Sequence, residues 1–317
     1  MKDEMDLRQV KPEPADPISR RTALPWQTPK SDQEDIEASA RIAQIMRHPG
    51  YRPADEELDF LEQDNARGVR LMLDYLKPES LLDRQGISHT IVVFGSTRIC
   101  EPRVAKAQVE ELARMCLLSP EDAELKRKLR IAERVLDNSR YYQMAQAFGR
   151  IVSEQEGPEG HRLVIVTGGG PGIMEAANRG AFDVGARTVG LNITMPHEQF
   201  PNPYLTPGLC YSFRYFGMRK LHFLMRARAL VVFPGGYGTL DELFETLTLI
   251  QTRTISPMPV ILVGERFWRG VFDPEFLVEE GVVDPEDREL FWFAETADEI
   301  WADILRWYQR SSRALVP

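Results

Sequence analysis

Short, unbroken apolar runs, each closed by a turn, constrain this chain more than any other feature. They are Ile91–Phe94, Leu163–Val166, Thr188–Ile193, Leu209–Phe213, Ala229–Phe233 and Val260–Val263, with a short further run at Phe291–Ala294. Each is too short for a core helix and rich enough in β-branched and aromatic residues for a strand. The lack of polar alternation in most of them predicts strands covered on both faces, as in a parallel sheet. Helix-period stretches lie between most of the runs, including Ile173–Asp183 and a terminal helix over Asp298–Trp307. The alternation predicts an α/β fold with a doubly wound parallel sheet of about six to seven strands. Ligands of such sheets bind beyond the carboxyl ends of the strands. Three glycine-bearing loops follow strands here, Gly95–Arg98, Gly168–Gly172 and Pro234–Thr239, and they are expected to share one rim.

Before the first strand the chain reads differently. Residues 1–30 spread five prolines among charges and predict an extended or disordered tail. Residues 31–86 predict a helical extension. One helix starts with Ser31 as its cap and stops at His48-Pro49-Gly50, and a second spans Ala54–Leu76. The extension has three open roles: covering a sheet edge, offering a partner surface or shaping a pocket. The nucleotide-binding domain is expected over 87–312. Within it, Val104–Glu154 predicts two or three helices, and the charged segment near 118–137 reads as a helical insertion on the surface.

The stretch Cys210–Leu249 brings the chemistry together. The strand Ala229–Phe233 runs into Pro234-Gly235-Gly236-Tyr237-Gly238, and a helical pattern opens at Thr239. Strand, glycine loop and helix start leave unpaired N–H groups at the positive end of a helix, which suits a phosphate. A glycine turn after a strand is also, in many α/β folds, only a tight turn. Charge favours the first reading. The chain carries 48 Asp+Glu against 39 Lys+Arg, yet no acid lies between Glu198 and Asp241, where roughly six would be expected. Arg214, Arg219, Lys220, Arg226 and Arg228 fall in that gap. Arg219 and Lys220 sit among Met218, Leu221, Phe223 and Leu224, so a buried arginine paired with an anion competes with two solvated surface cations. Glu242 has two readings as well. Thr239-Leu240-Asp241-Glu242 has the spacing of a capping box. Alternatively, the helix start keeps Glu242 ionised to stabilise a cation or activate water.

Several function classes lose support. The net charge of −9 disfavours nonspecific nucleic-acid binding. No apolar run reaches membrane-spanning length and no signal-peptide core is present. Cys100, Cys116 and Cys210 are odd in number and lack CxxC spacing, as expected of a reducing, cytoplasmic setting. The five histidines show no metal-ligand spacing, so no metal is expected. The dinucleotide template fails twice, finding Ile173 and Asp241 where glycine is needed, and no P-loop or G-x-S-x-G elbow occurs.

The run Gly168-Gly169-Gly170-Pro171-Gly172-Ile173-Met174-Glu175, then Met218-Arg219-Lys220, then Pro234-Gly235-Gly236-Tyr237-Gly238-Thr239-Leu240-Asp241-Glu242 resembles the Lonely Guy family of nucleoside 5'-monophosphate phosphoribohydrolases. The resemblance covers about Thr90–Trp307 and implies a Rossmann-like core, no cofactor, and a homodimer or higher homo-oligomer. It implies hydrolysis of AMP, or of an N6-modified AMP, to free base and ribose 5-phosphate. By motif match, Arg219 and Glu242 are the catalytic pair, and Gly235, Gly236, Gly238 and Thr239 hold the 5'-phosphate. Glu198, after Met195-Pro196, and Lys220 contact substrate. Ser96, Gly169, Gly170 and Tyr237 complete the expected contacts. A regulatory protein whose N-terminal helices bind a partner while the core senses AMP is one rival to this reading, and two others stand beside it. One is a noncatalytic nucleotide or cofactor carrier on the same fold. The other is a pyridoxal-dependent decarboxylase, for which Lys220 is the only lysine in the focal stretch.

Overall fold

The computed structural model describes residues 21–155, 163–196 and 200–316. The chain divides into two compact units, Met1–Gly68 and Val69–Pro317. In the first, helix α1 spans Ala38–Arg47 and ends just before His48-Pro49-Gly50, as expected. It does not begin at Ser31, whose N–H and hydroxyl are both engaged by the Glu34 carboxylate. The expected helix Ala54–Leu76 is broken: α2 covers only Leu58–Leu61, and a 3-10 turn follows at Asp64–Ala66. The intervening Glu62-Gln63-Asp64-Asn65 is wholly polar, and Asp and Asn favour turns over helix interiors. Most of the expected tail, residues 1–20, lies outside the described residues.

Helix α3, Arg67–Arg84, begins at the boundary and runs on past Leu76, carrying Pro78 inside it. Proline removes one helical hydrogen bond, so local propensity argues for a stop here. Side chains of α3 on both sides of Pro78 are instead bonded to the rest of the second unit, which holds the helix together.

The second unit is built on a seven-stranded, all-parallel sheet in the order β4-β3-β2-β1-β5-β6-β7. The strands are β1 Thr90–Phe94, β2 Val164–Thr167, β3 Thr188–Ile193, β4 Cys210–Phe213, β5 Ala227–Val232, β6 Val260–Val263 and β7 Trp292–Ala294. Every residue of β1, β2, β3 and β6 is buried, the pattern predicted by unbroken apolar runs. β4 lies at the edge and alternates exposed and buried residues. Between β1 and β2 come α4 Pro102–Leu118, α5 Ala123–Asn138 and α6 Arg140–Glu154. α5 carries the charged segment and buries only Ala132, consistent with a surface helix. Then come α7 Ile173–Asp183, α8 Phe216–Met225, α9 Tyr237–Gln251, α10 Glu265–Arg269, α11 Pro274–Glu279 and α12 Ala297–Ser311.

Two apolar layers sandwich the sheet. On one face Ile91, Ile165 and Val231 pack with Phe148 of α6, Ala177 of α7 and Ile300 of α12. On the other, Val92, Val166 and Leu230 pack with Leu82 of α3, Phe223 of α8 and Leu243 of α9. The chain leaving β1 therefore goes to one face and the chain leaving β5 to the other. Neighbouring parallel strands whose connections diverge open a crevice at their carboxyl ends. No helix among the described residues is long and apolar enough to cross a membrane.

Candidate active site

The three glycine loops meet at that crevice, and Ser96 ties them. Its N–H donates to the Pro234 carbonyl at 2.9 Å, and its carbonyl accepts from the Ile173 N–H at 3.1 Å. Gly172, at φ +76°, lies so close that a Cβ there would sit 2.3 Å from the Ser96 carbonyl oxygen. Local sequence thus places a residue without a side chain where one loop rests on another. A cleft of about 530 Å³ opens above this junction.

One wall of the cleft is the start of α9. The helix begins at Tyr237, two residues before the predicted Thr239, with Gly236 as its N-cap and no side-chain cap. The Thr239 N–H bonds the Gly236 carbonyl at 2.9 Å, whereas the N–H groups of Tyr237 and Gly238 ahead of it have no acceptor in a preceding turn. An uncapped helix start lined by glycines accommodates an anion.

The early start also removes the capping-box reading of Glu242. Its carboxylate lies more than a turn into α9, 4% exposed, and faces α8 rather than the helix start. Glu242 Oε1 lies 3.4 Å from Arg219 Nη2, and Oε2 lies 3.7 Å from Lys220 Nζ. The expectation that the helix start keeps this carboxyl ionised is overturned. Burial pushes it up to about 7, against the opposing pull of Lys220 and Arg219. Desolvation disfavours the charged form, and the two cations offset only part of that.

Arg219 is itself buried, its side chain 14% exposed. Its guanidinium lies 4.7 Å from the Phe216 ring centroid and 5.7 Å from that of Phe223, which fixes its plane. Its Nε is buried without a hydrogen-bond partner. Burial lowers its affinity for the proton, while Glu242 and Asp241 oppose the change. A fixed guanidinium with unspent donors at a cleft wall is a ready partner for an oxygen-rich ligand.

Of the residues expected at the site, Ser96, Arg219, Gly236, Tyr237, Gly238, Thr239 and Glu242 line the cleft. Tyr237 stands at its mouth, 92% exposed. Others do not line it. Gly235 lies behind the loop, where its missing side chain admits Thr239: a Cβ would fall 2.1 Å from Thr239 Oγ1. The carbonyls of Gly169 and Gly170 are tied down by Asn202, through its N–H at 2.8 Å and its Nδ2 at 3.1 Å. Those two glycines hold the loop from behind, and their neighbour Gly168 faces the cleft. Lys220, expected to touch substrate, is turned to α9 instead, with Nζ 2.9 Å from both Asp241 and Glu245. Burial pulls its ammonium down, but the bonds to Asp241 and Glu245 outweigh this and leave it above the ordinary range. A lysine so committed is poorly suited to Schiff-base chemistry, which needs the neutral amine. Glu198 lies outside the described residues.

Met174 and Arg98 line the cleft without having been singled out. Both stand in or beside the loops identified from sequence, but no local signal says which side chains turn inward. Among the described residues no group of three or more His, Cys, Asp or Glu is placed to hold a metal ion.

Comparison with known proteins bears on the same segment. A family model described as possible lysine decarboxylase matches residues 174–304. A cytokinin riboside 5'-monophosphate phosphoribohydrolase of Arabidopsis thaliana is 30% identical over 141 residues, covering 43% of this chain and 64% of the relative. A probable enzyme of the same name from Oryza sativa subsp. japonica is 31% identical over 144 residues, covering 43% and 56%. The chain thus spans less than two thirds of the length of these two relatives. A further probable enzyme of that name from Arabidopsis thaliana is 30% identical over 151 residues, covering 45% of this chain and 72% of the relative. A solved structure of the molybdenum cofactor carrier protein from Chlamydomonas reinhardtii is 17% identical with a TM-score of 0.40, covering 69% of this chain and 97% of that one. That likeness is too distant to speak for what this chain does. The matched segment contains Arg219, Lys220 and the whole Pro234–Glu242 run, and by these relationships the chain belongs to the Lonely Guy family.

Proposed function

We propose that this protein hydrolyses the N-glycosidic bond of nucleoside 5'-monophosphates, AMP or an N6-modified AMP, to free base and ribose 5-phosphate. One observation carries the reading: a buried Arg219–Glu242 pair, 3.4 Å apart, shares a cleft with the uncapped start of α9. The phosphate binds at that helix start, through the N–H groups of Tyr237 and Gly238 and the Thr239 hydroxyl. Binding energy gained there is remote from the bond that breaks, so it can be used to position the ribose. The C1'–N bond breaks with its electron pair going to the base, and positive charge develops on C1'. Ionised Glu242 stabilises that charge and takes a proton from the attacking water, which it then releases to solvent. The departing base nitrogen takes up a proton in turn. Arg219 orients the substrate through its free donors and favours the electron-rich leaving base. The names of the Arabidopsis and rice relatives favour a cytokinin riboside monophosphate among the candidate substrates. A soluble homodimer in the cytoplasm belongs to the same reading.

Chromatography of purified protein incubated with a panel of nucleoside monophosphates tests it. Base and ribose 5-phosphate are expected in equal amounts, with turnover reduced about 100-fold or more in Glu242→Gln and in Arg219→Ala. Tight AMP binding without base release from any monophosphate would instead establish a carrier.

A further inference from the structure

Helix α8 carries Arg219 and Lys220 but makes few of its own end contacts. Its N-cap residue, Tyr215, provides no side-chain cap. The ends are held from outside, by α3. Asp74 Oδ2 accepts from the N–H groups of Arg214 at 2.9 Å and Tyr215 at 2.8 Å, the two residues that lead into α8. Arg70 Nε donates to the Tyr215 hydroxyl at 3.0 Å. In the last turn of α8, His222 Nε2 lies 3.1 Å from the Tyr75 carbonyl, which can only accept. At the exit, Arg226 makes a two-pronged bond to Glu79, at 2.7 and 2.8 Å, and a third to Asp83 at 2.7 Å.

Arg214 and Tyr215 lead into α8, His222 lies in its last turn and Arg226 follows it, so α3 holds the helix at both ends and, through His222, in rotation. Rotation matters most. The Arg219 guanidinium meets Glu242 at 3.4 Å, and its other neighbours, the Phe216 and Phe223 rings, belong to α8 itself and move with it. A shift of one residue along α8, a rise of about 1.5 Å and a turn of about 100°, would carry it away from the carboxylate. α3 precedes residue 174, where the family match begins, so the element that holds the catalytic helix lies outside the matched segment.

We propose that α3 sets the Arg219–Glu242 geometry by clamping α8, and that Asp74 and Glu79 are positioning residues of the site. Neither lines the cleft. The proposal rests on the phosphoribohydrolase reading for its activity readout, and on hydrogen exchange for a readout independent of it.

Asp74→Ala is the test variant, because Glu79→Ala would strand the buried Arg226 and endanger folding. Asp74→Asn keeps an acceptor oxygen and serves as the rescue. For Asp74→Ala, kcat is expected to fall ~10- to 100-fold while KM stays within about threefold, since the phosphate-binding start of α9 is untouched. Amide exchange should rise across 214–226 and stay unchanged across 237–251, and Asp74→Asn should restore most of both. Wild-type kcat in Asp74→Ala, or unchanged exchange in α8, would overturn the proposal. So would a parallel change in kcat, KM and exchange throughout the sheet, which marks a general loss of stability. If the wild-type protein releases no base, the proposed activity fails by itself. Exchange then decides the clamp: selective loosening of α8 sustains it and no change overturns it.

Discussion

Glu242 carries the sharpest consequences at the scale of single residues. Its carboxyl is raised to about 7 by burial, from an ordinary value of 4.5. On the proposed mechanism the ionised form is the active one, so kcat/KM should rise with pH through about 7 and level off above it. A profile already flat at pH 5 would show that Glu242 is not the group that must ionise. The same shift has a stability counterpart. The folded state holds the proton more tightly than the unfolded state, so this stabilisation is complete below about 4.5 and is lost as pH rises through about 7. Above that, an ionised carboxylate stays buried at a cost of ~3 kcal/mol. Glu242→Gln should therefore raise the melting temperature relative to wild type at pH 8 and much less at pH 5, as thermal unfolding at the two values would reveal. Sequence made Glu242 a candidate but left open whether it was a cap. The point at which the helix begins decided the matter, since α9 starts at Tyr237 rather than Thr239.

At the scale of elements, the loop at Gly172 is the least forgiving. Its φ of +76° disfavours any other residue, and the atom a Cβ would strike is backbone of a neighbouring loop. Gly172→Ala should lower stability by about 2 kcal/mol or more and raise KM by displacing Ser96 from the cleft, both measurable on one preparation. A variant with wild-type KM would mean that the loops are not coupled. Strands were the most legible elements, because an apolar run of four or five residues buried on both faces leaves little choice of structure. The helices of the extension were the least legible. Pro78 argues locally for a stop, and tertiary contacts carry α3 through it: the bonds from Asp74, Glu79 and Asp83 to the α8 segment and the burial of Leu82 in the core.

At the scale of the whole molecule, a phosphate-bearing ligand should stabilise the fold, because the cleft joins loops from three strands that are far apart in sequence. Saturation at 100 times Kd corresponds to about 2.7 kcal/mol, or a rise in melting temperature of roughly 5–11 °C for a unit of this size. AMP should produce that shift and adenosine should not; equal shifts would remove the helix-start phosphate site from the proposed reading. Local sequence by itself determined the strands, the glycine loops and the acid-free window, because apolar period, turn chemistry and charge act over a few neighbouring positions, while the choice of Arg219 and Glu242 came from the motif resemblance. Only the tertiary structure decided the strand order, the turning of Lys220 toward Asp241 and Glu245, the retreat of Gly169, Gly170 and Gly235 behind the cleft, and the raised proton affinity of Glu242. Each of these depends on which distant segments exclude water from a group or stand beside it, and no local pattern encodes that.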